Sequence, residues 1–325
     1  MKYLITGATG LLGNNLARTL VELGHQVRVL IRPPEDRKEL RDLDVEIFTG
    51  ELNDPQSIES ALSGMDVVVH AAAMIHFGWT RLDESRNVNV VPTELIANAA
   101  RAMGVRLIHI SSVDALAAGK KDEPATENDV DPAKVACAYV LTKREADQVV
   151  LQEVDKGLDA VLIYPGLMFG SFDWKPSSGQ MITAIATKWI PLGPRGGISA
   201  VDVLDVCRGI VAATTKGQPG ERYILCGHNM TYVELWKRMA QLLDRPGPLK
   251  RMSPVVAWGA GFFGDLATKF KRKEGEVNSA GIKLSSLYHY YSSDKAKSQL
   301  GYSISELEPA LQRAIEFFRE QSMIK

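Results

Sequence analysis

Short apolar runs recur through the first half of the chain, too short for helices and without strict polar alternation. They are YLITG (3–7), QVRVLI (26–31), VEIFTG (45–50), DVVVHAA (66–72), RLIHISS (106–112) and AVLIYPG (160–166). Being rich in Val, Ile and Leu, they predict strands buried on both faces of a parallel sheet. Between them, LLGNNLARTLVELG, DPQSIESALSG, VVPTELIANAARAMG and AYVLTKREADQVVLQEVDKG have helical spacing, and several stop at a glycine. This alternation predicts right-handed βαβ units and an α/β class, doubly wound around a parallel sheet.

After residue 166 the rhythm breaks. MFGSFDWKPSSGQ reads as a loop, followed by a helix and the glycine-rich PLGPRGG. VDVLDVCRGIVAATT predicts a helix and ERYILCG a further strand of the sheet. From MTYVELWKRMAQLL onward the pattern is mainly helical. The expected organisation is a large sheet domain from 1–166 and 200–227 with a smaller, mainly helical C-terminal substrate cap from 167–199 and 228–325.

Composition narrows the classes. The 325 residues carry 38 basic and 39 acidic side chains, a net charge of −1, which gives no support for nucleic-acid binding. The three cysteines are widely spaced, with no CxxC pair, so neither a disulfide framework nor a metal site is indicated. The opening MKYLITGATG goes straight into a strand pattern without a secretory signature, so a cytoplasmic protein is expected. PVVAWGAGFFG (254–264), followed by KFKRK (269–273), is too short to span a bilayer, which needs about 20 apolar residues. It is expected to pack as a helix on the substrate side, with surface attachment to a membrane as the alternative.

TGATGLLG places Gly7, Gly10 and Gly13 directly after the first strand and inside the start of a helix. In this variant of the dinucleotide fingerprint, Gly7 permits a tight turn and Gly10 lets backbone approach a pyrophosphate. Gly13 lets helix and strand pack closely, and the helix N-terminus attracts the anion. The second strand ends at Arg32, with Arg37 and Lys38 near it, where NAD sites commonly carry an acid. A guanidinium suits a 2′-phosphate, so NADP(H) is preferred to NAD(H). Against this stands mainly Asp36, which a loop could bring back.

HISSVDAL puts Ser111 and Ser112 at the end of the fifth strand, where ligands of open sheets bind. Tyr139 and Lys143, four residues apart, share a face of the next helix. A nearby ammonium would lower a phenol's pKa, making Tyr139 a general acid/base, with Ser112 on the same substrate oxygen. Taken alone, the pair is a helix face.

TGATGLLG, SSVDAL and YVLTK, in this order and spacing, resemble the extended short-chain dehydrogenase/reductase family. The nearest likeness is to dihydroflavonol-4-reductase-like and hopanoid-associated sugar epimerase proteins. The resemblance implies Ser112, Tyr139 and Lys143 as the catalytic set, with Tyr139 and Lys143 also touching the cofactor. It implies further cofactor contacts from Thr9, Leu11, Leu12, Glu51, Leu52, Ala71, Ala72, Ala73, Asn89, Ile110, Tyr164 and Pro165. Pro92 stands where the family usually has glycine. His76, Phe77, Ser112, Met168 and Trp174, from MIHFGW and MFGSFDW, are candidate substrate contacts. The resemblance also implies a small-molecule substrate and a homodimer. Three functions follow: an NADPH-dependent carbonyl reductase, a nucleotide-sugar epimerase, or a non-catalytic NADP sensor. A dehydratase fits less well, because Val113 occupies the place of the usual acid.

Overall fold

The computed structural model describes residues 1–33, 38–131, 134–271, 274–275 and 277–325. Six of the strands are β1 (Lys2–Thr6), β2 (Gln26–Ile31), β3 (Glu46–Thr49), β4 (Val67–His70), β5 (Arg106–Ile110) and β6 (Ala160–Pro165). With the strand Arg222–Leu225 they form a seven-stranded sheet in the order Arg222–Leu225, β6, β5, β4, β1, β2, β3. Every neighbouring pair is parallel. The predicted Rossmann-like, doubly wound sheet is therefore present, and each predicted strand agrees to within two residues at either end.

The continuous apolar runs reflect burial on both faces. Along β1, Tyr3 and Ile5 join one core cluster while Leu4 joins the other. The first face is covered by α1 (Leu11–Glu22) and the helix Val203–Lys216. The second is covered by α2 (Pro55–Leu62), α4 (Val91–Met103) and α5 (Ala138–Val154), with α3 (Leu82–Asn89) leading into α4. α2 starts where Asp54 accepts from the Gln56 and Ser57 amides, both at 3.2 Å, and Pro55 fills the first helical position.

The C-terminal part has its own core, in which Phe169, Ile182, Leu235, Leu311 and Phe318 are buried together. Its helices include Gln180–Thr187, Tyr232–Leu242 and Leu307–Glu320. A three-stranded sheet joins it to the large domain, with Gly197–Asp202 between Leu167–Phe169 and His228–Thr231. That middle strand straddles the boundary expected at 199/200. The strand ends at Asp202, whose carboxylate accepts from the Leu204 amide at 2.9 Å and starts the next helix. The helix Pro254–Lys271 covers the predicted 254–264 segment, and Ser279–Ser285 packs against it.

Candidate active site

The strand order reverses at β1. From β1 the chain runs outward through β2 and β3, then resumes at β4 on the other side of β1. Ligands of open α/β sheets bind beyond the carboxyl ends of the strands at such a point. Gly7 follows β1 with φ +76°, the left-handed region that favours glycine, and a Cβ there would come within 2.7 Å of the Ala72 nitrogen. A Cβ on Gly13 would lie 2.3 Å from the Gly7 carbonyl oxygen, so α1 can approach the strand only without a side chain at that position.

Gly10 differs from both. A Cβ there would meet protein no closer than 3.5 Å, and Gly10 is exposed. It precedes α1 without a side-chain cap, and the first turn of the helix holds no acid. Open space before an uncapped helix N-terminus fits the pyrophosphate of a dinucleotide. Thr9 is half-buried here, and Leu11 and Leu12 are buried behind it.

Asn14 was not legible as a site residue. Its Nδ2 donates to the carbonyls of Ala8 (3.1 Å) and Glu39 (2.8 Å), tying the turn after β1 to the chain after β2. The signal lay in a polar residue at a position that the helical spacing turns inward. Arg32 is exposed immediately after β2, while Asp36 and Arg37 lie outside the described residues. Beyond β3, Glu51 is exposed and Leu52 packs partly against the second core cluster. Ala71, Ala72 and Ala73 continue from β4, and the Ala71 and Ala72 amides donate to the Thr6 carbonyl and hydroxyl, each at 3.3 Å.

Tyr139 and Ser112 come together just beyond β5, and Lys143 reaches the last residue of that strand. Lys143 is buried, and its Nζ donates to the Ile110 carbonyl at 2.8 Å. Burial lowers its pKa to about 8, against an upward pull from the Asp147 carboxylate one helical turn away. The Ser112 Oγ accepts from the Asp114 amide at 3.1 Å.

Contrary to the expectation from the ammonium, the Tyr139 phenol is pushed up rather than down. Burial is the largest cause and the Asp114 carboxylate adds to it, while the Ser112 hydroxyl pulls the other way. The ammonium is directed at a strand carbonyl, so desolvation decides the sign.

The segment after β4 forms the facing wall. The Tyr139 amide donates to the His76 carbonyl at 3.2 Å, and the Phe77 ring stands edge-on to the phenol at 5.1 Å. Asn89 accepts from the Met74 amide at 2.7 Å and donates to its carbonyl at 3.0 Å. It also donates to the Thr142 hydroxyl at 3.0 Å, so its amide clamps this wall to α5.

Of the other expected contacts, Pro165 is buried at the end of β6, and the Tyr164 side chain points into the core, where its hydroxyl donates to Asp147 at 2.9 Å. Only backbone at Tyr164 is left for a cofactor. Met168 packs against the first core cluster. Trp174 stands edge-on to Phe317 at 5.0 Å with the Lys38 ammonium 5.7 Å from its ring, which puts it with the cap core. Thus His76 and Phe77 are brought to Tyr139, whereas Met168 and Trp174 pack elsewhere. Asp147 and His109 also escaped the sequence reading. His109 Nε2 lies 3.2 Å from Asp147 Oδ1 at an angle too poor for a hydrogen bond.

Residues 3–226 match the NAD dependent epimerase/dehydratase family. The chain belongs to that family. It is an NAD(P)-dependent oxidoreductase of the extended short-chain dehydrogenase/reductase type, a reductase or an epimerase. It is 31% identical over 328 residues to the sterol demethylase protein B of Methylococcus capsulatus, covering 100% of each chain. It is 33% identical to the 4-hydroxy-2-methyl-3-oxo-4-farnesyl-3,4-dihydroquinoline-1-oxide ketoreductase of Stigmatella aurantiaca, covering 76% of this chain and 74% of that one. Among solved structures, a nucleoside-diphosphate-sugar epimerase from Pseudomonas aeruginosa superposes with a TM-score of 0.83 at 28% identity, over 100% of this chain and 99% of that chain.

The glycines of this epimerase/dehydratase-family loop are separable. Gly13→Ala should lower the melting temperature, because its methyl meets the Gly7 carbonyl. Gly10→Ala should leave the melting temperature unchanged while weakening NAD(P) binding at least about tenfold, roughly 1.4 kcal/mol. Thermal melts and cofactor titration by calorimetry check both.

Proposed function

We propose that this protein is an NADPH-dependent reductase acting on a ketone or aldehyde of a medium-sized, largely apolar molecule. The observation that carries the reading is Tyr139 between the Ser112 hydroxyl and the Phe77 ring, with the Lys143 ammonium one helical turn along on the Ile110 carbonyl at the end of β5. When bound, a nicotinamide dinucleotide supplies the hydride. Ser112 Oγ and the Tyr139 hydroxyl hold the carbonyl oxygen. As that oxygen gains negative charge, the Tyr139 proton moves to it. The Lys143 ammonium then stabilises the phenolate left behind.

The direction of the pKa shift supports reduction, because burial keeps the phenol in its acid form, the form needed to protonate an alkoxide. The apolar substrate is supported by the exposed part of Phe77 next to Tyr139 and by the names of two relatives, which join reduction or demethylation to sterol and farnesyl compounds. The NADPH preference is supported by Arg32 at the end of β2.

The epimerase from Pseudomonas aeruginosa favours a second reading, a sugar epimerase with a retained cofactor. Purified protein that holds NAD and consumes no NADPH with any carbonyl would favour that reading and sink the reductase.

Four outcomes are expected. Tyr139→Phe should lower kcat by about a hundredfold or more while NADPH binding, read by fluorescence, stays near wild type; undiminished turnover would remove Tyr139 from the mechanism. Turnover should fall as pH rises through about 8, where Lys143 loses its charge. Because Asp147 raises that pKa, Asp147→Asn should move the alkaline limb of the pH–rate profile to lower pH, and an unmoved limb would contradict the role of Lys143. Arg32→Ala should weaken NADPH about tenfold, roughly 1.4 kcal/mol, with little change for NADH in parallel titrations.

A further inference from the structure

We propose that the outer face of the helix Pro254–Lys271 docks this protein on an anionic phospholipid bilayer and that the lipophilic substrate reaches Tyr139 from there; the second half rests on the reductase reading. The helix is inverted relative to ordinary amphipathic packing. Ala257, Gly261 and Gly264 face the protein and its large apolar residues face out. Ala257 and Gly261 are buried, and Cβ atoms on Gly261 and Gly264 would meet the Ser279 Cα at 3.1 Å and the Val277 carbonyl oxygen at 2.0 Å.

Facing outward, Val255 is 76% exposed, Trp258 69%, Phe263 67% and Phe270 81%, with Phe262 stacked on Trp258 at 5.4 Å. A soluble surface rarely leaves so much contiguous aromatic area in water.

Charge selects the occupant. The one carboxylate of the helix, Asp265, turns back to accept from the Ser279 amide at 2.9 Å, whereas Lys269 is exposed beside Phe270. Lys283, on the neighbouring helix, is exposed too, with its ammonium 5.2 Å from the Trp79 ring. An aromatic face rimmed by ammonium groups, with its acid turned inward, matches lipid tails under anionic headgroups. No helix among the described residues is long and apolar enough to cross a membrane, so the helix would lie in the surface plane.

The helix is also wired to the site. Just beyond it, Glu274 accepts from the amides of Trp79 (3.0 Å) and Thr80 (3.1 Å), and its Oε2 lies 2.9 Å from His76 Nε2. Asn278 donates to the Phe77 carbonyl at 2.9 Å. These bonds hold the chain that follows the helix to the same short wall that meets Tyr139, and Ile75 and Trp79 on that wall are themselves exposed. The wall that meets the phenol therefore carries exposed apolar side chains of its own.

The test is flotation of the full chain with vesicles of phosphatidylcholine alone and of an equimolar phosphatidylcholine–phosphatidylglycerol mixture. The protein should float with the mixed vesicles, much less with the neutral ones, and less still as salt is raised. The triple variant Trp258→Ser, Phe262→Ser, Phe263→Ser should lose at least about tenfold in vesicle affinity while keeping its melting temperature and its turnover of a water-soluble aldehyde. Phe270→Glu, outside the aromatic cluster, should lose binding in the same direction. Wild-type protein that stays unbound, or variants that float like wild type, would overturn the proposal. So would a triple variant whose only change is from dimer to monomer in gel filtration, which would make the face a contact between copies. Flotation without turnover of any carbonyl would leave docking standing and sink the reductase; turnover without flotation would do the reverse.

Discussion

A buried ammonium bonded to a strand-end carbonyl organises this site. Lys143 reaches from α5 to the Ile110 carbonyl at 2.8 Å, which ties α5 to the end of β5. With the helix held there, Tyr139 comes against Ser112 and Phe77. A charged group out of water is stable only with strong partners, and here they are a carbonyl oxygen and, one turn along, Asp147. The same burial that softens the ammonium hardens the phenol. Two groups four residues apart therefore move in opposite directions, each toward its neutral form.

Beneath them the sheet carries an unusual polar row. His70 and His109 face each other across β4 and β5, and both are fully buried. His70 lies between Thr6 and Thr93, at 2.7 and 3.1 Å, while His109 meets Asp147, which also accepts from Tyr164. Burial lowers the pKa of both histidines, so they sit neutral behind the positive lysine and do not compete with it. Asp147 thus serves two ends: it supports Lys143 and gives the buried Tyr164 hydroxyl an acceptor.

The glycine loop and the outer helix show one rule used in opposite directions. At Gly13 the missing side chain lets a helix press on a strand, and at Gly261 and Gly264 it lets a helix press on the chain beside it. In the first case the approach leaves room for an anion before Gly10. In the second it draws the small face of the helix inward and leaves every bulky apolar group outside. The helix expected over 254–264 is present, and Ala257 and Gly261 are its buried positions there.

Much of this was legible before folding. The period and composition of the apolar runs determined the parallel sheet, because strands buried on both faces must be apolar at every position. Spacing also determined the roles of Gly7 and Gly13, since a left-handed turn and a helix–strand contact each exclude a side chain. The order of motifs marked Ser112, Tyr139 and Lys143 as a group. Tertiary structure alone decided the rest. It turned Tyr164 and Trp174 into core residues, because a strand and a loop carry no local mark of which neighbour covers them. It recruited Asn14 and Asp147, single polar residues without a motif, to tie neighbouring elements together. It also reversed the expected shift of Tyr139: a sequence shows which charge lies one turn away, but only the packed chain shows how much water has been removed from around it.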